Sequence, residues 1–278
     1  MATTFNPDQI GGHSGQKPLR MNASAFKWSI AVFLAAALLV SCSPAPLRLA
    51  DTNWQLYRMR DTLRSEQSVE TIIEPYRTVL ADEMEEVIGQ ASVSMTRGQP
   101  ESTLGNFMAD LMMAMSPAYF DEPADLAVHN PGGLRIPEIS AGAVRVSDVY
   151  QLMPFDNTLV MMTMRGNELV PLFERMAASG GWPLSKEVSF QIRDGKPENV
   201  VVSGQPIDLE RVYRVVMPDY VANGGSNCDF LRGLPYKDSG VFTRDVIIAY
   251  IRAEQAAGRA LSAEIDGRVL REGDRSDH

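Results

Sequence analysis

The segment Thr158-Leu159-Val160-Met161-Met162-Thr163-Met164 is apolar almost throughout. A strand with one wet face alternates apolar and polar side chains, so an unbroken apolar strand is buried on both faces. The segments around it are of both kinds. Val69, Ile72, Ile73, Tyr76 and Leu80 recur at helical spacing. Leu104, Phe107, Met108, Leu111, Met112 and Met115 form a second helical stripe, with Ser102 or Thr103 available as its cap. A methionine-rich stripe of this kind is core packing. Asn167 caps a helix with Leu169, Leu172, Phe173 and Met176 inward, and Thr243 one with Val246, Ile247, Tyr250 and Ile251 inward. Ser147-Asp148 starts a short helix. Strands are expected at 87–93, 126–128 and 213–217, and hairpins turn at Asp194-Gly195 and Ser203-Gly204. Irregular alternation with late hairpins points to a single α/β domain of α+β character, a mixed β-sheet with flanking helices, rather than a regular doubly wound fold.

The start of the chain reads differently. Trp28 to Val40 is an apolar run too short to span a bilayer, preceded by Lys27 and ended by Leu39-Val40-Ser41-Cys42. That is the layout of a secretory signal, and its last four residues resemble a bacterial lipobox, which implies cleavage before Cys42 and lipid on that residue. A plain signal peptide or a short membrane anchor is the alternative. Residues 1–41 are therefore read as a signal peptide, with Met21 as a possible true start, and 42–64 as the lipidated Cys42 and a tether. The domain is placed at 65–262 and a charged tail at 263–278. The expected location is the outer side of a bacterial membrane, periplasmic or cell-surface.

The whole chain carries a net charge of −9; removing Lys17, Arg20, Lys27 and Asp8 with residues 1–41 leaves −11. Such a surface disfavours nucleic acid and anionic lipid as broad partners, and leaves room for an anion held by a few local arginines. With Cys42 lipidated, Cys228 is the remaining cysteine, so no disulfide framework is expected. Beyond residue 41 the histidines are His129 and His278, too few for a two-metal hydrolytic site. His129 ends a strand and is read as satisfied locally. No nucleophile elbow and no phosphate-cradling lysine loop is present.

Binding chemistry is better supplied. Two glycine loops, Asn130-Pro131-Gly132-Gly133-Leu134-Arg135 and Asp219-Tyr220-Val221-Ala222-Asn223-Gly224-Gly225-Ser226, each follow an expected strand. Paired glycines at a strand end permit close approach of backbone to ligand or positive φ. Beside them Asn130 offers both donor and acceptor, Arg135 a planar cation for phosphate or carboxylate, and Phe155 and Tyr220 two π faces. Taken singly, Phe155 suits a core, Arg135 a surface ion pair and the glycines plain turns. Together they suit a flat, polar, anionic molecule.

Ile72-Ile73-Glu74-Pro75-Tyr76, Glu101 to Asp110, Asn130 to Arg135, Val146 to Tyr150, Met153-Pro154-Phe155, Tyr213 to Gly225, and Arg244-Asp245 follow one another to near Tyr250. This ordered series resembles the C-terminal domain of the bacterial and animal 5′-nucleotidases. The resemblance implies a domain that holds the nucleoside part of a substrate, while a separate N-terminal metallophosphatase domain performs the hydrolysis. It carries the family's base-contacting Asn to Asn130, its Arg near ribose and phosphate to Arg135, and its first stacking aromatic to Phe155, with Asn157 close by. The second aromatic, usually Phe, falls on Tyr220. Gly132 and Gly133 belong to the first loop and Asn223-Gly224-Gly225 to the second. The position after them, usually an Asp that binds ribose hydroxyls, is Ser226, a weaker partner for a diol. Arg97 stands near an Arg that the family often has before its Glu-Ser pair.

The implied protein is the nucleotide- or nucleoside-binding half of a split phosphohydrolase of nucleotide catabolism. It has no catalytic residue, metal ligand or cofactor of its own. A separate metallophosphatase chain would carry any divalent metals, and the lipid would be the only membrane contact. Two other readings stay open: a non-enzymatic scavenging or sensing lipoprotein, and a degenerate scaffold that kept the fold and lost the ligand.

Overall fold

In the computed structural model, residues 67–273 are described, and the signal, the lipobox with Cys42, and the tether lie outside them. The elements in chain order are α1 (Gln67–Glu85), β1 (Val87–Ala91), β2 (Met95–Thr96), α2 (Thr103–Met115), β3 (Leu126–Ala127), β4 (Glu138–Ile139), β5 (Gly142–Arg145) and α3 (Val146–Leu152). They continue as β6 (Thr158–Arg165), α4 (Gly166–Ala178), β7 (Val188–Arg193), β8 (Lys196–Val202), β9 (Gln205–Pro206), β10 (Val212–Pro218), α5 (Asp219–Ala222), β11 (Tyr236–Phe242), α6 (Thr243–Ala256) and β12 (Val269–Arg271).

The apolar run at 158–164 is β6, an inner strand of a mixed four-stranded sheet ordered β11-β6-β10-β3. β6 pairs antiparallel with both neighbours, and β10 pairs parallel with β3. The alternating side chains of this sheet enter two different cores. Leu159, Met161, Val216 and Ala127 pack into one, with Leu104, Met108, Leu111 and Met112 of α2 and Val246, Ile247 and Ile251 of α6. Val160, Met162, Met164, Val215 and Leu126 pack into the other, with Leu169, Leu172, Phe173 and Met176 of α4. Where a strand has a core on each side it has no wet face to mark with polar residues, which is why β6 is apolar from Leu159 to Met162. Each such fully buried side chain contributes about 1.5–3 kcal/mol relative to exposure.

The expected mixed sheet is one of several. A second four-stranded sheet, ordered β12-β7-β8-β9, covers the far side of the second core, and two-stranded ribbons join β1 to β5 and β2 to β4. Hairpins turn at Asp194-Gly195 and Ser203-Gly204, where all four residues have positive φ. The segment read as a charged tail from 263 is instead partly structural. Val269, Leu270 and Arg271 pair parallel with β7, and Arg268 is 5% exposed. Three residues are too few to show a strand period.

One helix cap meets expectation and two differ. Ser102 caps α2, its hydroxyl accepting from the Gly105 N–H at 3.1 Å. Asn167 does not cap α4: the helix begins at Gly166, and the Glu168 carboxylate accepts from the Arg165 N–H at 2.7 Å. Thr243 is the first residue of α6 rather than its cap, and its hydroxyl is buried without a hydrogen bond among the described residues. α1 forms as its spacing suggests, but its stripe of Val69, Ile72, Ile73, Tyr76 and Leu80 stays exposed.

Candidate functional site

Strand polarity brings three loops to one end of the main sheet. β3 and β10 run parallel, so the loops after both leave from the same end, and β6, antiparallel to β10, begins there. Ligands of open α/β sheets bind outside the carboxyl ends of strands for this geometric reason. Between the loops lies a cavity of about 320 Å³ lined by Asn130, Gly132, Gly133, Arg135, Phe155, Asn157, Tyr220 and Ser226. That volume falls in the range of ligand pockets. Eight of the eleven residues singled out in the sequence thus meet in one cavity, although they come from segments far apart in the chain.

The first loop is a tight turn at Pro131–Gly133. A Cβ on Gly133 would run into the His129 ring, so the turn closes over that histidine only with glycine there. Asn130 is 4% exposed, and its Oδ1 is buried with no hydrogen bond among the described residues. Arg135 is exposed at the rim, its guanidinium 5.8 Å from the Phe155 ring centroid. Arg97 reaches the same loop, with Nη1 donating to the Leu134 carbonyl at 2.6 Å.

Phe155 and Tyr220 stand at the cavity rather than in a core, 36% and 46% exposed. The Tyr220 hydroxyl accepts from the Ser226 N–H at 3.2 Å, a bond that phenylalanine cannot make. A Cβ on Gly225 would meet the Tyr220 ring at 2.5 Å, so glycine there admits the ring. Arg175 of α4 holds the loop from behind, its Nε donating to the Ser226 carbonyl at 2.7 Å. Asn223, Gly224 and Gly225 shape this loop but do not line the cavity. Asn223 Oδ1 accepts from the Tyr236 hydroxyl at 3.4 Å, and Gly224 adopts φ 89°.

Asp219 ties two of the loops together, its Oδ1 accepting from the Thr158 N–H at 3.1 Å. Burial raises its carboxyl above the ordinary value, and the backbone N–H groups of Tyr220 and Thr158 partly offset this. His129 is fully buried, and burial lowers its imidazole from 6.5 to about 4. Its Nδ1 lies 2.9 Å from the Asn130 carbonyl, an acceptor, so Nδ1 carries the proton. Cys228 lies buried behind the second loop, and burial pushes its thiol up to about 11. Both are neutral residues behind the cavity rather than reactive groups in it. Among the described residues no group of three or more His, Cys, Asp or Glu is placed to hold a metal ion. Among them, too, no helix is long and apolar enough to cross a membrane. Sequence reasoning missed Arg175 and placed Asp219 in the second loop without its bracing role, because their partners lie 51 and 61 residues away.

The family model described as 5′-nucleotidase, C-terminal domain, matches residues 87–233, more than half of the chain. Protein UshA of Escherichia coli is 33% identical over 134 residues, covering 46% of this chain and 24% of UshA. A 5′-nucleotidase of Vibrio cholerae is 32% identical over 135 residues, covering 47% and 24%. The chain thus spans about a quarter of the length of these curated relatives. Among solved structures, a 5′-nucleotidase precursor from Thermus thermophilus superposes with a TM-score of 0.61 at 26% identity, over 73% of this chain and 43% of that one. The NAD nucleotidase of Haemophilus influenzae shares the fold, with a TM-score of 0.56 at 20% identity over 74% and 41%.

Proposed function

This chain belongs to the family of 5′-nucleotidase C-terminal domains, and on that premise we propose that it binds a nucleotide or nucleoside in the cavity between its three loops. The observation that carries the reading is the meeting of two exposed aromatic rings, two Asn side chains and one Arg around 320 Å³. Phe155 and Tyr220 take the base between them. Asn130 and Asn157 address its polar edge. Arg135 meets the phosphate, where a planar, permanently charged fork matches the anion. Ser226 meets the sugar. A rotating hydroxyl loses little when a sugar hydroxyl is missing, whereas a carboxylate would be left unpaired.

In the wider role we propose, the domain is the substrate-binding part of a 5′-nucleotidase-like phosphohydrolase of nucleotide catabolism, working with a separate metallophosphatase chain. Divalent metals would belong to that partner, and a lipid on Cys42 would hold the protein on the outer side of a bacterial membrane. This domain would contribute positioning of the bound nucleotide. A degenerate scaffold would bury Phe155 and Tyr220, and their exposure of 36% and 46% counts against it.

Calorimetry with AMP, adenosine and 2′-deoxyadenosine tests the binding reading. Tyr220→Ala is expected to weaken binding by about 1–3 kcal/mol, the contribution of one base–aromatic stack. Adenosine and 2′-deoxyadenosine are expected to bind within about tenfold of each other, since no charged group is stranded by the missing hydroxyl. Absence of binding at millimolar ligand by the wild type would overturn the reading. Phosphate release from AMP by this chain alone, with manganese or zinc, would overturn the need for a partner.

A further inference from the structure

Arg244 lies outside the cavity, yet two of its hydrogen bonds end on the loop that carries Phe155. Nη1 donates to the Phe155 carbonyl at 3.3 Å and Nη2 to Asp156 Oδ1 at 2.8 Å. The guanidinium stands 4.8 Å from the Tyr150 ring centroid and 5.1 Å from that of Phe242. Its side chain is 12% exposed, although its partner Asp156 is 75% exposed. One residue earlier, the Thr243 N–H donates to the Asn157 carbonyl at 2.8 Å. The first turn of α6 therefore holds the backbone on both sides of Asp156. The side chains of the two residues so held, Phe155 and Asn157, line the cavity.

We propose that Arg244 is a positioning residue that orders the Phe155 platform before a ligand arrives. This rests on the reading of the cavity as a nucleotide site. Sheet topology delivers the residue: Phe242 at the end of β11 pairs with Thr158 at the start of β6, so α6 begins beside the loop it holds. The chemistry calls for arginine in particular. A planar cation stacks between two rings and still points two donors at one turn, whereas a lysine ammonium is a point charge that does neither well. Two further bonds, from the Thr243 N–H to the Asn157 carbonyl and from the Thr158 N–H to the Asp219 carboxylate, anchor this loop beyond Phe155. The backbone of Phe155 itself is thus held from outside by Arg244, while Arg135 stands at its ring. A ring ordered in advance spares the ligand the entropy of ordering it.

A double-mutant cycle with AMP is the test. Arg244→Ala is expected to weaken binding roughly 2- to 12-fold, the cost of ordering one side chain on binding. Because the effect passes through the ring, the same change in a Phe155→Ala background is expected to alter Kd less than about twofold, and in a Tyr220→Ala background to act in full. Arg244→Lys is expected to resemble Arg244→Ala. If Arg244→Ala does not fold, Asp156→Ala at the exposed end of the contact takes its place in the cycle, with a smaller loss that also vanishes without Phe155. Equal losses with and without Phe155, or full rescue by lysine, would overturn the proposal. A ligand-free arm separates it from the cavity reading: Phe155→Trp is compared with and without Arg244→Ala by acrylamide quenching, after subtracting the parent signal. Unchanged quenching of Trp at 155 overturns the positioning role even if AMP binds. Increased quenching with no AMP binding supports the ordering of position 155 while the nucleotide reading fails.

Discussion

At the scale of single residues, burial decides what the polar groups of this protein do. His129, read from the sequence as a strand-end residue satisfied locally, is enclosed beneath the first loop, with its imidazole lowered from 6.5 to about 4. The unfolded chain therefore takes up a proton between these values that the folded chain refuses. Stability is complete above pH 6.5 and falls as pH drops toward 4, by about 3 kcal/mol in all. Histidine NMR is expected to find His129 neutral at pH 5.5, and urea melts to show about 2 kcal/mol of that loss between pH 7 and 5. A midpoint near 6.5 would contradict the burial argument. Tyr220 shows the opposite use of a polar atom: its hydroxyl holds the Ser226 N–H while its ring stays at the cavity.

At the scale of elements, the loops are built by glycine where a side chain has no room. Gly225 is the sharpest case, because a Cβ there would press on both the ring and the carbonyl of Tyr220. The carbonyl belongs to the backbone and has little freedom to give way. Gly225→Ala is expected to cost about 1–3 kcal/mol of stability, as overpacking does, and to weaken nucleotide binding by moving the ring. Thermal melts and calorimetry on one preparation check both; an unchanged Kd would show that the ring does not depend on this approach. Among the helices, the stripes of α2 and α4 were legible because a buried face repeats every three to four residues. The same period in α1 marks a helix and not burial, since the five residues of that stripe remain exposed and it is Met84, near the helix end, that packs against a core.

At the scale of the whole molecule, the chain end closes the fold. β12 adds a parallel strand to β7, and Arg268 just before it bonds to Asp110 at 2.9 Å and Asp266 at 2.6 Å, near Glu101 at 3.9 Å. The side chains of Arg268 and Glu101 are 5% and 4% exposed. Removing the cation would leave the buried Glu101 carboxylate with its hydrogen bonds from Asn106 and the Asp266 N–H but without the arginine's countercharge, so Arg268→Met is expected to lose about 3–5 kcal/mol. Deleting 263–278 should cost more, because the edge of β7 is uncovered as well. Urea denaturation of both variants is the measurement, and a deletion as stable as the parent would restore the reading of this segment as a tail.

Asn157 and Ser226 were marked through the family resemblance, whereas local chemistry was enough to mark most elements, both glycine loops, and Asn130, Arg135, Phe155 and Tyr220. Each is signalled within a few positions: an apolar period, a cap at Ser102, a glycine pair after a strand. Long-range pairing was not marked in this way. Burial of β6 on both faces was legible, but which helices cover each face, that three loops converge at one sheet end, that Arg175, Asp219 and Arg244 brace those loops, and that residues 269–271 form a strand all followed from the tertiary structure. The physical reason is separation along the chain. Arg244 and Phe155 are 89 residues apart, and a contact at that distance leaves no period or spacing in the sequence, only two residues that folding brings together.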